Sequence, residues 1–156
     1  MTIRTITASG EAYSVGRTIG EAIAETVQKV TVHVEELVAL EQCWGGSDYV
    51  DQMLAATRQS YPTYIRELEG MADGMGIPFD RAFLWSCRGD LRWPDDISPE
   101  IALGLGESCT TLIIPATGDQ PATIAHNEDG YGQFEDYCFW ISVKPDGCPG
   151  FDSFIY

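Results

Sequence analysis

The hydrophobic period of this chain changes once along its length, and that single change limits the folds open to it. Over residues 15–40 the apolar side chains Val15, Ile19, Ala22, Ile23, Val27, Val30, Val34, Leu37 and Val38 recur at steps of three and four, which places them along one face of a helix. Ser14 is the expected N-cap of that helix, and Gly16 and Gly20, one turn apart, suit close packing against a neighbouring element. Further helices are expected over 47–60, over 62–74 with Pro62 in the first turn and Gly74 and Gly76 ending it, and from Pro78 through Ala82, Leu84 and Cys87. The first half thus reads as all helix. Residues 92–107 carry Pro94, Asp95, Asp96, Ser98, Pro99, Gly104 and Gly106, a composition that suits an exposed connection. Beyond it the period is that of strands: 110–114, 122–125 and 137–143 are short runs rich in β-branched or aromatic residues, and 151–156 begins another. The expected class is α+β, a helical half followed by antiparallel strands, and the final run implies a sheet that continues past Tyr156 in a longer protein.

Composition narrows the function without choosing it. A chain of 156 residues is the length of one domain, and its 44% hydrophobic and 21% charged content is ordinary for a globular protein. With 9 Lys and Arg against 24 Asp and Glu, the net charge of -15 would repel phosphate backbones and anionic membranes, which argues against nucleic acid as a partner. The N-terminus lacks the apolar core of a secretory signal and no run is long enough to span a bilayer, so a cytoplasmic location is expected, with no membrane partner. Five cysteines at irregular spacing (Cys43, Cys87, Cys109, Cys138 and Cys148) fit reduced thiols better than a disulfide framework. No Cys-x-x-Cys pair occurs and the histidines are only His33 and His126, so no metal site is expected.

Among the cysteines, Cys109 stands apart by position. It lies where the connection passes into the first strand, in Glu107-Ser108-Cys109-Thr110-Thr111, with Ala125-His126-Asn127-Glu128-Asp129 downstream. A nucleophile that becomes a new N-terminus needs such a place, exposed for cleavage and then held by a sheet. The residues also admit other readings: a small buried cysteine, a turn at Asn127 and Asp129, or a cysteine hydrolase in which His126 serves Cys109 without self-cleavage.

Taken together, Cys109-Thr110-Thr111, Asn127-Glu128-Asp129 and the upstream Glu67-Leu68-Glu69-Gly70-Met71-Ala72-Asp73-Gly74-Met75-Gly76-Ile77 resemble the isopenicillin N acyltransferase family. Its members are self-cleaving N-terminal-nucleophile hydrolases and acyltransferases. The helix after the Gly-rich segment ends in Asn-x-Arg-x-Glu or a close variant in that family. Here it reads Ser86-Cys87-Arg88-Gly89-Asp90.

The resemblance implies the N-terminal portion of a four-layer αββα fold, with 1–108 as a helical pro-segment or small subunit and 109–156 as the start of the catalytic subunit. It implies that Cys109 attacks the Ser108 carbonyl, that the freed α-amine of Cys109 then acts as general base, that Asp129 and Asn127 hold the site, and that Arg88 and Asp90 support it. Ser108 departs from the glycine common in the family at that place. Substrates would be small amides or acyl-thioesters, no cofactor is required, and the family's oxyanion asparagine would come from a C-terminal half beyond these residues. The alternative is a truncated relative whose helical half serves only as a folding or interaction segment.

Overall fold

A computed structural model describes residues 3–91, 110–127 and 134–155. The chain opens on strand β1 (Arg4–Gly10), then helix α1 (Ala12–Lys29), a single 3-10 turn at Thr31–His33, and helices α2 (Glu35–Trp44), α3 (Asp48–Ser60), α4 (Pro62–Met75) and α5 (Phe79–Ser86). Strands β2 (Thr110–Ile114), β3 (Thr123–Asn127), β4 (Phe139–Pro145) and β5 (Phe151–Ile155) follow. The class is α+β, as the change of period implies. The connection expected over 92–107 lies outside the described residues.

Strand β1 corrects the reading of the first half as wholly helical. It alternates, with Ile6 and Ala8 buried between exposed neighbours, but two apolar residues make a weak local signal. What holds it is β4, parallel to it in the register Arg4↔Phe139 through Gly10↔Pro145. That partner lies over a hundred residues downstream. Strand β5 pairs antiparallel with β4 on the other side, giving the order β1-β4-β5, a mixed sheet where antiparallel strands alone were expected. Its inner face buries Ile6, Ala8, Phe139, Ile141 and Val143 against Val15 and Ile19 of α1, each large side chain contributing about 1.5–3 kcal/mol.

The helix expected over 15–40 is broken. Helix α1 ends at Lys29, and α2 starts at Glu35. Val30, Thr31, Val32 and Val34 crowd four β-branched side chains into five positions, where χ1 restriction disfavours helix. Val34 stays buried through the break, so the apolar period reports the buried side and not an unbroken helix. The N-cap also differs from expectation. Glu11 holds that place, its carboxylate accepting from the backbone N–H of Tyr13 and of Ser14, both at 3.2 Å, and Ser14 lies inside the first turn.

The expected close packing at Gly16 and Gly20 is present, and its partner is α4. A Cβ on Gly16 would run into the Glu67 carbonyl, and one on Gly20 into the Met71 carbonyl. Gly70 and Gly74 reciprocate against the carbonyls of Tyr13 and Arg17. Gly74 is thus an interface residue inside α4, whereas Gly76, at φ 70°, is the left-handed cap that ends the helix. The Tyr13 hydroxyl donates to Asp73 Oδ2 at 2.6 Å across the same contact.

Glu67, on this interface, has its carboxyl pushed above the ordinary 4.5 by burial. The folded chain holds that proton more tightly than the unfolded chain does. Its contribution is therefore fully present below the ordinary pKa and is lost as pH rises through the folded value. Thermal melts of Glu67→Gln should show a higher Tm than the parent at about pH 7 and no difference near about pH 3.5.

Candidate functional site

Of the candidate residues, Asn127 lies on the hairpin β2–β3. The hairpin register pairs Thr110 with Asn127, Thr111 with His126 and Leu112 with Ala125. The residue that follows Cys109 is thereby fixed opposite Asn127, which is the last residue of a strand and not a turn residue. Ser108, Cys109 and Asp129 lie outside the described residues. One pair down the ladder, the Thr111 hydroxyl and His126 Nδ1 are 2.8 Å apart, which ties the imidazole to the facing strand.

Arg88 and Asp90 follow α5. The Arg88 Nη1 donates to the Trp85 carbonyl at 3.3 Å, and the Asp90 N–H donates to the Cys87 carbonyl at 2.9 Å. Their hydrogen bonds stay within the turn that ends the helix. The candidate residues described therefore fall in two groups, Asn127 on the hairpin and Arg88 with Asp90 at the end of α5.

Two of the other cysteines, Cys87 and Cys138, are poorly suited to nucleophilic work. Cys87 is buried, and burial, with the nearby Asp90 carboxylate, pushes its thiol upward. Burial, with Glu135 and Asp136, raises Cys138 as well, and its Sγ lies 3.4 Å from the Phe134 carbonyl. A thiol raised above its ordinary value supplies less thiolate at neutral pH. Cys43 and Cys148 are exposed. Among the described residues no group of three or more His, Cys, Asp or Glu could hold a metal ion, and no helix is long and apolar enough to cross a membrane.

One polar cluster escaped the sequence. Glu41 of α2 accepts from Arg81 Nη2 at 3.0 Å and from Trp85 Nε1 at 2.9 Å, both on α5. The partners stand 40 and 44 residues from Glu41, so no local pattern announces them. Trp85 is only 8% exposed, and Glu41→Ala would leave its N–H without an acceptor. Urea unfolding of that variant should show a loss of about 1–3 kcal/mol, and less for Glu41→Gln, whose amide oxygen still accepts.

The described residues thus define an α+β protein with a layer of helices against a mixed sheet and a separate hairpin that leads from position 109. No protein-family model matches the chain. It is similar to the β-alanyl-dopamine/carcinine hydrolase of Drosophila melanogaster, 27% identical over 146 residues that cover 86% of this chain. The chain spans about a third of that relative's length, 35%.

Proposed function

We propose that these residues form the N-terminal part of an N-terminal-nucleophile amide hydrolase whose nucleophile is Cys109. The observation that carries this reading is the similarity to a hydrolase over 86% of the chain, a stretch that includes most of the residues of the family resemblance. The hairpin supports it by anchoring Thr110, next to Cys109, opposite Asn127.

In this reading residues 1–108 are the pro-segment or small subunit and 109–156 open the catalytic subunit. The Cys109 thiol adds to the Ser108 carbonyl, the peptide C–N bond breaks, and the acyl group passes to sulfur as the nitrogen takes a proton. Water hydrolyses that thioester and leaves Cys109 with a free α-amine. An α-amine of ordinary pKa, about 7.7–8.0, is matched to proton transfer near neutral pH. It takes the thiol proton as sulfur attacks a substrate amide and returns it to the departing amine. Water or a second amine then takes the acyl group from Cys109. Asp129 and Asn127 hold this end of the site, and Arg88 and Asp90 support it from α5. The substrate class is a small-molecule amide or acyl-thioester. The relative's name points to β-alanyl-dopamine as the first compound to try.

Mass spectrometry of the purified protein tests this. Two pieces divided between Ser108 and Cys109 are expected. An intact chain that also forms no acyl-thioester with amide or thioester donors overturns the proposal. Activity without cleavage, lost in His126→Ala, would instead identify a cysteine hydrolase built on Cys109 and His126.

A further inference from the structure

A cleft of about 220 Å³ opens between the helical layer and the sheet. Its walls are mainly apolar, with Val27 of α1, Leu68 and Met71 of α4, and Phe139 and Ile155 of the sheet. Four polar side chains interrupt them: Thr26, Thr31, Ser86 and Arg88. Among the described residues, Arg88 is the one charged member of the lining, with no carboxylate beside it there. Its guanidinium makes a single side-chain hydrogen bond, to the Trp85 carbonyl, and no ion pair among the described residues. Five N–H donors in a planar fork are thus left mostly unused at the mouth of an apolar cleft.

Thr26 supplies an independent sign. It is 3% exposed, and its hydroxyl oxygen, fully buried, has no hydrogen-bond partner among the described residues. Most buried hydroxyls are satisfied, and one left without a partner destabilises the fold unless something else supplies it. Ser86, by contrast, is already satisfied by the Ala82 carbonyl at 2.9 Å. A polar group bound in the cleft that Thr26 lines would provide the partner its hydroxyl lacks.

We propose that this cleft binds a small carboxylate with an apolar body, the carboxylate paired with Arg88 and accepting from the Thr26 hydroxyl, and the body lying on the apolar wall. The size fits a ligand smaller than the drug-sized molecules that occupy about 300–1,000 Å³. Charge selects an anion, because the lining offers a guanidinium and no acidic group. Arg88 is also a support of the proposed Cys109 site, but the cleft does not rest on the Cys109 chemistry.

Hexanoate, hexan-1-ol and hexylamine, compared by saturation-transfer NMR titration of the full chain, test the proposal. Hexanoate is expected to bind about tenfold more tightly than hexylamine, the scale of a charge-assisted hydrogen bond gained against a cation repelled. Arg88→Gln, at an exposed side chain whose loss leaves the core intact, should bring hexanoate down to the affinity of hexan-1-ol. Thr26→Val, close to isosteric, should keep the fold and weaken hexanoate severalfold. Equal binding of hexanoate and hexylamine, or a carboxylate preference that survives Arg88→Gln, overturns it. Hexanoate binding should be unchanged in Cys109→Ala; its loss there would assign the carboxylate to the reaction site and sink the separate cleft, whereas a failure of self-cleavage leaves it standing.

Discussion

Cys109→Ala is expected to leave the chain in one piece and to lower turnover of small amides by at least about 10⁴-fold, equivalent to about 5.4 kcal/mol of barrier. The size follows from how much rests on one sulfur. In the proposed mechanism it supplies the attacking atom for self-cleavage and again for each substrate, and without cleavage the α-amine that would serve as base stays locked in a peptide bond. Removing a covalent nucleophile elsewhere costs on the order of 10⁶ in kcat, with the remainder due to binding and oxyanion stabilisation. Cys109→Ser separates the two reactions. A hydroxyl is a poorer nucleophile than a thiol at neutral pH, so cleavage should slow to hours or days while the freed amine still assists what turnover remains. Time-resolved mass spectra alongside kcat/KM read both. Full turnover in uncleaved Cys109→Ala would remove Cys109 from the mechanism.

Gly16→Val is expected to destabilise the fold by about 3 kcal/mol or more, at the upper end of overpacking costs. The added carbons would meet the backbone of Glu67, and backbone cannot swing aside as a side-chain tip can. Helices α1 and α4 would have to part along a contact in which Gly16, Gly20, Gly70 and Gly74 all bring main chain to main chain. Out of a total stability of about 5–15 kcal/mol this is a large share, and a Tm lower by about 10 °C follows for a chain of this size. Gly16→Ala should cost less, because alanine recovers about 1 kcal/mol of helix propensity. Gly89→Ala, with nothing within 4 Å of the new carbon, is the control and should leave the Tm near that of the parent. Calorimetric melts of the three variants decide the matter.

The elements legible in the sequence are those with local causes. Ser47 caps α3, its hydroxyl accepting from the Val50 N–H. Pro62 sits in the first turn of α4 and Gly76 ends it with a positive φ. The runs that became β2 and β5 begin where they were expected, while β3 and β4 are displaced by one or two residues, the usual latitude of strand ends. In each case the signal lies within a few residues of what it specifies. Of the candidate site, Asn127, Arg88 and Asp90 can be placed, and the hairpin register gives Asn127 a neighbour that spacing alone could not have named. Cys109, Ser108 and Asp129 rest on the sequence and its resemblance.

Distance along the chain marks where sequence reading stops. The order of α3 to α5 and of β2 to β5, the N-cap of α3 and the C-cap of α4, and the singular position of Cys109 follow from residues close to one another, because propensity, capping and φ restriction act over a turn or two. Tertiary structure alone decided that Arg4–Gly10 is a strand, since its hydrogen bonds go to β4. It also decided that α4 is the partner of Gly16 and Gly20, that Glu41 joins α2 to α5, and that Thr26 and Arg88 line one cleft. Each of these depends on atoms brought together from distant parts of the chain, and a pairing of that kind leaves no periodic trace in either segment.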